Sequence, residues 1–306
     1  MTAVRANGIA IDYEETGPRD APAILLIMGL GMQLVAWPNT FCEGLAARGF
    51  RVIRFDNRDA GLSSRMPSAG RIATRAMMAR ALVRLPVRPP YTLNDMAADT
   101  IGLLDALGIA KAHVVGASMG GMIAQILAIE HPERVKSLTS IMSSPAPLLP
   151  RPRVLRALLR PPPRDEERAI RRMKEFFRLV GGAGYPPTEA ELQAKVGRSV
   201  RRSYRPDGLA RQLIAIQTAP SRVRMLRRVE APTLVVHGTD DPLIPMAGGE
   251  RTAASIPGAS LRIIPGMGHF LPEALVPLLV EEIAEHCRNA EDAASTGARR
   301  LAVGSP

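Results

Sequence analysis

Short apolar runs alternate with longer segments of mixed polarity along most of the chain. The runs that predict β-strands are 9–15, 23–28, 51–56, 112–115, 135–142, 232–238 and 261–265. Several of them, such as 23–28, are apolar at consecutive positions, which is typical of parallel strands buried on both faces. Helical stretches are predicted between the strands at 40–47, 92–107, 122–129, 249–255 and 272–287. The alternation predicts an α/β fold with a mostly parallel central sheet flanked by helices.

This pattern is interrupted once. Between residues 144 and 228 the strand patterns disappear, prolines cluster at 145–152 and 161–163, and the remaining segments read as helices with basic faces. We therefore predict a helical cap at 144–228 inserted into a core formed by 1–143 and 229–288. Residues 289–306 are small and polar without periodicity, so we expect a disordered tail.

The net charge of +11 comes from the same inserted segment. Residues 144–230 contain 20 Lys and Arg against 8 Asp and Glu, whereas the rest of the chain has 20 against 21. No aromatic side chains interleave with the basic run 151–160, so the charge does not have the pattern of a nucleic-acid groove. Two interpretations stay open: the cap arginines attract an anionic substrate or acidic partner, or they form a solvated surface.

Other features bound the compartment and the kind of site. The longest apolar stretch, 23–32, is shorter than the roughly 18 residues that a membrane span needs, and residues 1–8 lack the apolar centre of a signal peptide. We expect a cytoplasmic protein with no membrane partner. Cys42 and Cys287 are far apart in sequence and suggest two buried free thiols rather than a disulfide or a metal cluster.

The strongest chemical signal is the sequence Gly116-Ala117-Ser118-Met119-Gly120, which follows an apolar run and precedes a predicted buried helix. A strand, a sharp turn and a helix in this order hold a serine at the tip of the turn with its hydroxyl exposed. The flanking glycines fit a turn so tight that a Cβ would collide with the opposite chain. The pattern predicts that Ser118 is a nucleophile.

An acid and a base follow at the ends of later strands. One loop carries Asp240 and Asp241, and the spacing favours Asp241; the next loop carries His269. Loops at the carboxyl ends of parallel strands meet at one edge of the sheet, so these side chains can converge on Ser118. The remaining histidines lie in or beside predicted strands and helices, without a loop's freedom: His113, His131, His237 and His286.

These motifs resemble those of the α/β-hydrolase family over residues 9–287. The resemblance implies Ser118 as nucleophile, Asp241 as acid and His269 as base. Residues 55–63 are similar to the Asp-x-Arg-x-x-Gly-x-Ser loop of that family, in which Asp56 and Arg58 brace the loop. Residues 28–31, with Trp-Pro at 37–38, are similar to the aclacinomycin methylesterase-like branch of carboxylesterases. Met28 stands where many members carry a histidine, which leaves open how this loop is anchored.

The residue types imply hydrolysis of a small carboxylic ester through an acyl-enzyme, with the backbone N–H groups of Leu30 and Met119 holding the oxyanion. This chemistry needs no metal or organic cofactor. The alternatives are hydrolysis of a C–C bond, a thioester or a lactone by the same triad, or a protein of this fold that only binds a ligand. The candidate pocket residues are Met28, Trp37 and Met267.

Overall fold

The computed structural model describes residues 2–67, 76–77, 80, 85–163 and 165–303. Eight strands of this part form one sheet in the order β1-β2-β4-β3-β5-β6-β7-β8. The first two strands run antiparallel to their neighbours, and β3 to β8 are parallel. The strands are β1 (Thr2–Ala6), β2 (Ile9–Thr16), β3 (Ala23–Ile27), β4 (Arg51–Phe55), β5 (Ala112–Ala117), β6 (Val135–Ile141), β7 (Thr233–Gly238) and β8 (Ser260–Ile264).

Helices cover both faces of the sheet. In the described ranges they are α1 (Asn39–Ala46), α2 (Leu93–Ala106), α3 (Met119–Glu130), α4 (Pro152–Leu159), α5 (Glu166–Val180), α6 (Glu189–Arg202), α7 (Pro206–Thr218), α8 (Ala247–Ser255) and α9 (Val276–Val303). Buried side chains of α2 and α3 join the core on one face, and those of α1 and α9 join the core on the other. None of these helices combines the length and apolarity that crossing a membrane requires.

The two cores follow directly from the period of two in a strand. In β3, Leu25 and Ile27 belong to the core under α2 and α3, whereas Ile24 and Leu26 belong to the core under α1 and α9. Every residue of β3 is therefore buried, as its continuous apolar sequence predicted. The short edge strand β1 was not predicted, because its residues Thr2–Ala6 lack clear alternation.

Between β6 and β7 the described chain contains helices and turns but no strand. Helices α5 and α6 of this insertion have a small core of their own, in which Ala169, Val196 and Val200 are buried against Phe177 and Tyr204. A capping box at Thr188 and Glu191 begins α6, since each side chain bonds the backbone N–H of the other residue.

The predicted disordered tail is wrong for most of its length, because α9 continues past residue 288 to Val303. Glu291 lies 2.9 Å from Nε2 of the buried His113 and 2.5 Å from Nζ of Lys136, so its carboxylate anchors the helix to β5 and β6. An anchoring contact of this kind leaves no periodic apolar pattern in the sequence. Residues 304–306 of the predicted tail lie outside the described part of the chain.

Candidate active site

Ser118 lies at the turn between β5 and α3, with φ 57° and ψ −119°. This left-handed backbone conformation is strained for a residue with a side chain. A Cβ on Gly116 would lie 2.2 Å from the carbonyl oxygen of Gly120, and a Cβ on Gly120 would lie 2.0 Å from that of Ile27. The two glycines are therefore needed for the close approach that the sequence indicated.

The loops after β7 and β8 bring the predicted acid and base to Ser118. Nε2 of His269 lies 2.9 Å from the Ser118 Oγ, and Nδ1 lies 2.7 Å from Oδ2 of Asp241. An ionised carboxylate only accepts hydrogen bonds, so Nδ1–H donates to Asp241 and Nε2 is left to accept from the serine hydroxyl. This is the arrangement in which a histidine can take the proton of a nucleophilic serine.

Asp241 is held as an anion inside the protein. Its side chain is buried, and its Oδ1 accepts hydrogen bonds from the N–H groups of Leu243 at 2.9 Å and Ile244 at 2.8 Å. Burial raises the pKa of Asp241, but the charge of His269 and the hydrogen bonds to the carboxylate outweigh it and lower the pKa to about 2. The carboxylate therefore stays ionised at neutral pH.

The competing residues have other partners. Asp240 is half-buried and accepts from the Ala183 N–H at 3.1 Å and the Thr239 hydroxyl at 2.9 Å, without contact to His269. His237 is fully buried, with its Nε2 2.9 Å from the carbonyl oxygen of Ile244 and 3.6 Å from Asp241. Asp240 lies on the same loop as Asp241 and His237 lies near the end of β7, yet of these three residues only Asp241 hydrogen-bonds to His269.

The loop after β3 runs directly beside the serine, because a Cβ on Gly29 would lie 3.0 Å from that of Ser118. Leu30 follows Gly29 in this loop, and Met119 follows Ser118 as the first residue of α3. Within the described residues the backbone N–H of neither Leu30 nor Met119 donates to a protein acceptor. Two unpaired N–H groups beside the nucleophile have the character of an oxyanion hole.

The anchoring of that loop, left open by Met28, is supplied by three side chains from elsewhere. Asn57 Nδ2 donates to the main-chain oxygen of Met28 at 3.0 Å. Gln212 Oε1 accepts the N–H of Gly31 at 2.7 Å, and Asp56 Oδ1 accepts that of Leu34 at 2.7 Å. Asp56 also accepts the Leu62 N–H with its Oδ2 at 2.8 Å, so it braces its own loop as predicted. Sequence reasoning missed Asn57, although it lies in the quoted motif, and had no signal for Gln212, which belongs to α7.

A second set of buried contacts joins the inserted helices to the core. Arg211 of α7 forms two hydrogen bonds of 2.7 Å with the fully buried carboxylate of Asp59. Burial raises the pKa of Asp59, but hydrogen bonds from Arg211, the Met66 N–H and Tyr91 outweigh it, and the pKa is lowered. Arg58 pairs in the same two-pronged way with Asp99, at 2.5 and 2.6 Å, so it also braces the loop.

A cavity of about 680 Å³ opens above Ser118 and His269, between the sheet edge and helices α4 to α7. Met28 lines it as predicted, but Trp37 and Met267 do not, and these two pocket assignments are wrong. Trp37 is fully buried in the core, stacked on Phe41 with ring centroids 5.1 Å apart. Met267 is also fully buried, packed against Gly238 at the end of β7. An apolar side chain near a catalytic loop can face either the cavity or the core, and its sequence does not distinguish them.

The chain is similar in sequence to several known proteins. Residues 22–273 match the family described as the α/β hydrolase fold. The chain is 32% identical over 295 residues to the rhodomycin D methylesterase DauP of Streptomyces sp. (strain C5), covering 89% of this chain and 93% of that protein. It is 28% identical over 272 residues to a 2-hydroxy-6-oxononadienedioate/2-hydroxy-6-oxononatrienedioate hydrolase of Burkholderia vietnamiensis, covering 86% and 85%.

Among solved structures, the esterase RhEst1 from Rhodococcus sp. ECU1013 superimposes with a TM-score of 0.72 at 22% identity, covering 94% of this chain and 97% of that one. This likeness concerns the fold. The family resemblance carried by the sequence motifs is confirmed by the match over residues 22–273 and by the 32% identical relative. The chain belongs to the α/β-hydrolase fold family.

Proposed function

We propose that this chain hydrolyses carboxylic esters through an acyl-enzyme on Ser118. The observation that carries the proposal is the continuous hydrogen-bond path from Ser118 through His269 to Asp241, at the base of a cavity of about 680 Å³. That volume lies within the range of small-molecule sites, which is roughly 300–1,000 Å³. A small ester is the proposed substrate.

In the proposed acylation step, the Ser118 oxygen attacks the ester carbonyl carbon while its proton moves to Nε2 of His269. Asp241 stabilises the imidazolium that forms and keeps the ring oriented. The N–H groups of Leu30 and Met119 hold the negative oxygen of the tetrahedral intermediate. His269 then returns the proton to the alcohol oxygen as the C–O bond breaks, and the alcohol leaves.

In the deacylation step, a water molecule attacks the Ser118 ester while His269 accepts one of its protons. The tetrahedral intermediate collapses, His269 protonates the serine oxygen, and the carboxylic acid is released. Every step uses groups of this chain, so the proposed reaction requires no cofactor. Helices α4 to α7 supply much of the cavity wall and are proposed as the cap that decides which acyl and alcohol groups fit.

The similar proteins favour ester hydrolysis and suggest one alternative reaction. The 32% identical relative is a methylesterase, which favours ester hydrolysis. The 28% identical relative acts on 2-hydroxy-6-oxononadienedioate, a compound in which the bond to be cleaved is not an ester bond, and this favours C–C hydrolysis as the second candidate. Both reactions need the same nucleophile, base and oxyanion hole, so the triad alone does not separate them.

The test is hydrolysis of p-nitrophenyl esters of increasing acyl length by the wild type and by Ser118→Ala. Turnover that is lost in the variant, together with a serine-bound acyl group detected by mass spectrometry, would support the proposal. The chain-length optimum would also measure the acyl pocket. An absence of turnover on every ester would overturn it in favour of C–C hydrolysis or ligand binding.

A further inference from the structure

Two sets of arginines on the inserted helices have different surroundings. Arg211 and Arg202 join the insertion to the core and are paired with carboxylates: Arg211 with Asp59, and Arg202 with Asp12 at 2.6 Å and Asp56 at 2.7 Å. Such pairs neutralise the charges that folding buries. These arginines are accounted for by the architecture of the protein.

The second group is an arginine cluster on α4 and α5, made of Arg153, Arg156, Arg160 and Arg172. All four line the same cavity as Ser118 and His269. Among the residues that the structure describes, none of the four forms an ion pair with a carboxylate. The three on and after α4 are exposed, and Arg172 donates to main-chain oxygens of Ala157 and Arg160.

The cluster carries charge that the protein leaves largely uncompensated. Burial and the neighbouring Arg160 cation lower the pKa of Arg172, so its positive charge is unfavourable where it stands. Glu175 lines the cavity from the same helix as Arg172 and offsets only part of this charge. Asp207, the other carboxylate of the lining, lies at the start of α7. An anion bound beside Arg160 and Arg172 would relieve the repulsion between these two cations.

We infer that the arginine cluster binds an anionic group of the substrate, so that the esters turned over best carry a carboxylate or similar oxyanion away from the scissile bond. This rests on the proposed ester hydrolysis. Guanidinium groups are suited to binding such an anion because their N–H donors match the two oxygens of a carboxylate. The position of the cluster on the wall of the catalytic cavity makes it a determinant of specificity, separate from the groups that perform the chemistry.

The test compares an anionic ester, the p-nitrophenyl monoester of suberic acid, with its neutral terminal amide. The variant is the double substitution Arg156→Gln with Arg160→Gln, because both side chains are exposed and their replacement leaves the carbonyl that Arg172 bonds. We expect the ratio of kcat/KM for the anionic ester to that for the amide to fall about five- to tenfold. Raising NaCl from about 0.05 to about 0.5 M would lower the wild-type ratio in the same direction.

The matched control is Arg151→Gln with Arg171→Gln. These arginines adjoin the same helices and are exposed, but they lie outside the cavity lining. The control removes the same net charge, so it should leave the ratio near the wild-type value. An equal fall in both double variants would assign the effect to the general field of the cap, and no fall in either would leave the cluster without a role; both overturn the inference.

A binding measurement separates this inference from the proposed function. Calorimetric titration of suberate into Ser118→Ala protein needs no turnover, and we expect binding that weakens at least fivefold when Arg156→Gln and Arg160→Gln are added. Failure of ester hydrolysis with this binding intact would overturn the function and leave the anion site standing. Suberate that binds both proteins equally, or neither, would overturn the anion site.

Discussion

The edge of the sheet at Ser118 and the junction between the inserted helices and the core both bury carboxylates, but the two regions neutralise these charges differently. Asp59 at the junction is bonded twice by the guanidinium of Arg211, so its charge is balanced permanently. Asp241 at the edge beside Ser118 has the His269 imidazole and two backbone N–H groups as hydrogen-bond partners. These dipoles stabilise the negative charge of Asp241, and that charge can in turn stabilise His269 when the histidine is protonated.

This difference shows that a buried carboxylate is not necessarily a functional residue. A fully paired carboxylate such as Asp59 is static, since moving charge near it would break two strong hydrogen bonds. Asp241 gains a cationic neighbour only when His269 is protonated. The first arrangement suits a structural role, and the second suits the proposed reaction, in which a charge appears on His269 and disappears again.

We expect the largest effect when Asp241, the proposed catalytic carboxylate, loses its charge. In Asp241→Asn the amide can donate to Nδ1 of His269, which favours the tautomer unable to accept the serine proton. We expect kcat on p-nitrophenyl esters to fall on the order of 10³–10⁴-fold, with little change in Tm. The neighbouring Asp240→Asn is the matched control and should keep wild-type kcat, because Asp240 contacts Ala183 and Thr239 instead. Equal losses in the two variants would remove the assignment of Asp241.

A substitution at the junction should have the opposite effect, because it should lower the stability of the protein first. Arg211→Met leaves the buried Asp59 without its cation, and we expect the free energy of unfolding in urea to fall by about 3–5 kcal/mol. The exposed Arg224→Met is the control for loss of an arginine and should stay within about 0.5 kcal/mol. Adding Asp59→Asn to Arg211→Met should restore part of the loss, because the orphaned charge is then gone. No restoration would show that packing, not charge, accounts for the effect.

The sequence pattern predicts the first of these regions but not the second, for a physical reason. Ser118, Asp241 and His269 each occupy a loop that follows a strand, so local pattern and topology together predict that they meet. Arg211 and Asp59 are 152 positions apart, and nothing near either residue marks the other as its partner. The same limit explains the errors at Trp37 and Met267, whose direction depends on packing across the whole core. It also explains the tail, where Glu291 anchors a helix by a contact 178 positions away.

As the pH falls, protonation of His113 should destabilise the fold before Asp241 is protonated. Burial lowers the pKa of His113 to about 4, although Glu291 beside it acts in the opposite direction. The histidine is thus harder to protonate in the folded state than in the unfolded state, where its pKa is near 6.5. Stability is therefore full above about pH 6.5 and decreases as the pH falls towards 4, by about 2 kcal/mol at pH 5.

The measurement is urea unfolding at pH 7 and pH 5 for the wild type and His113→Asn. The variant has no titrating group at this position, so it should lose about 2 kcal/mol less between the two pH values. Asp241 contributes nothing over this range, because its pKa of about 2 keeps it ionised down to much lower pH. The same pH dependence in both proteins would contradict the assignment to His113.

The two regions meet at Gln212, and this residue gives the smallest but most discriminating effect. Gln212 is fully buried on α7 of the inserted segment, one position from Arg211, yet its oxygen accepts the Gly31 N–H beside the proposed oxyanion hole. Its amide group donates to the main-chain oxygen of Arg58 at 2.8 Å, so both ends of the amide are fixed. A residue of the inserted helices thus holds the loop that carries Leu30, whose N–H is a proposed oxyanion donor.

Gln212→Met keeps the length of the side chain but removes both hydrogen bonds. We expect kcat to fall about tenfold with KM little changed, because an oxyanion donor acts mainly in the transition state. Gln217→Met on the same helix is the control, since Gln217 lies outside the cavity lining and in the described chain bonds neither loop. A loss of stability with kcat unchanged would place Gln212 with Arg211 in the junction alone. A loss of kcat at unchanged stability would show that the cap contributes to the chemistry through the position of one backbone N–H.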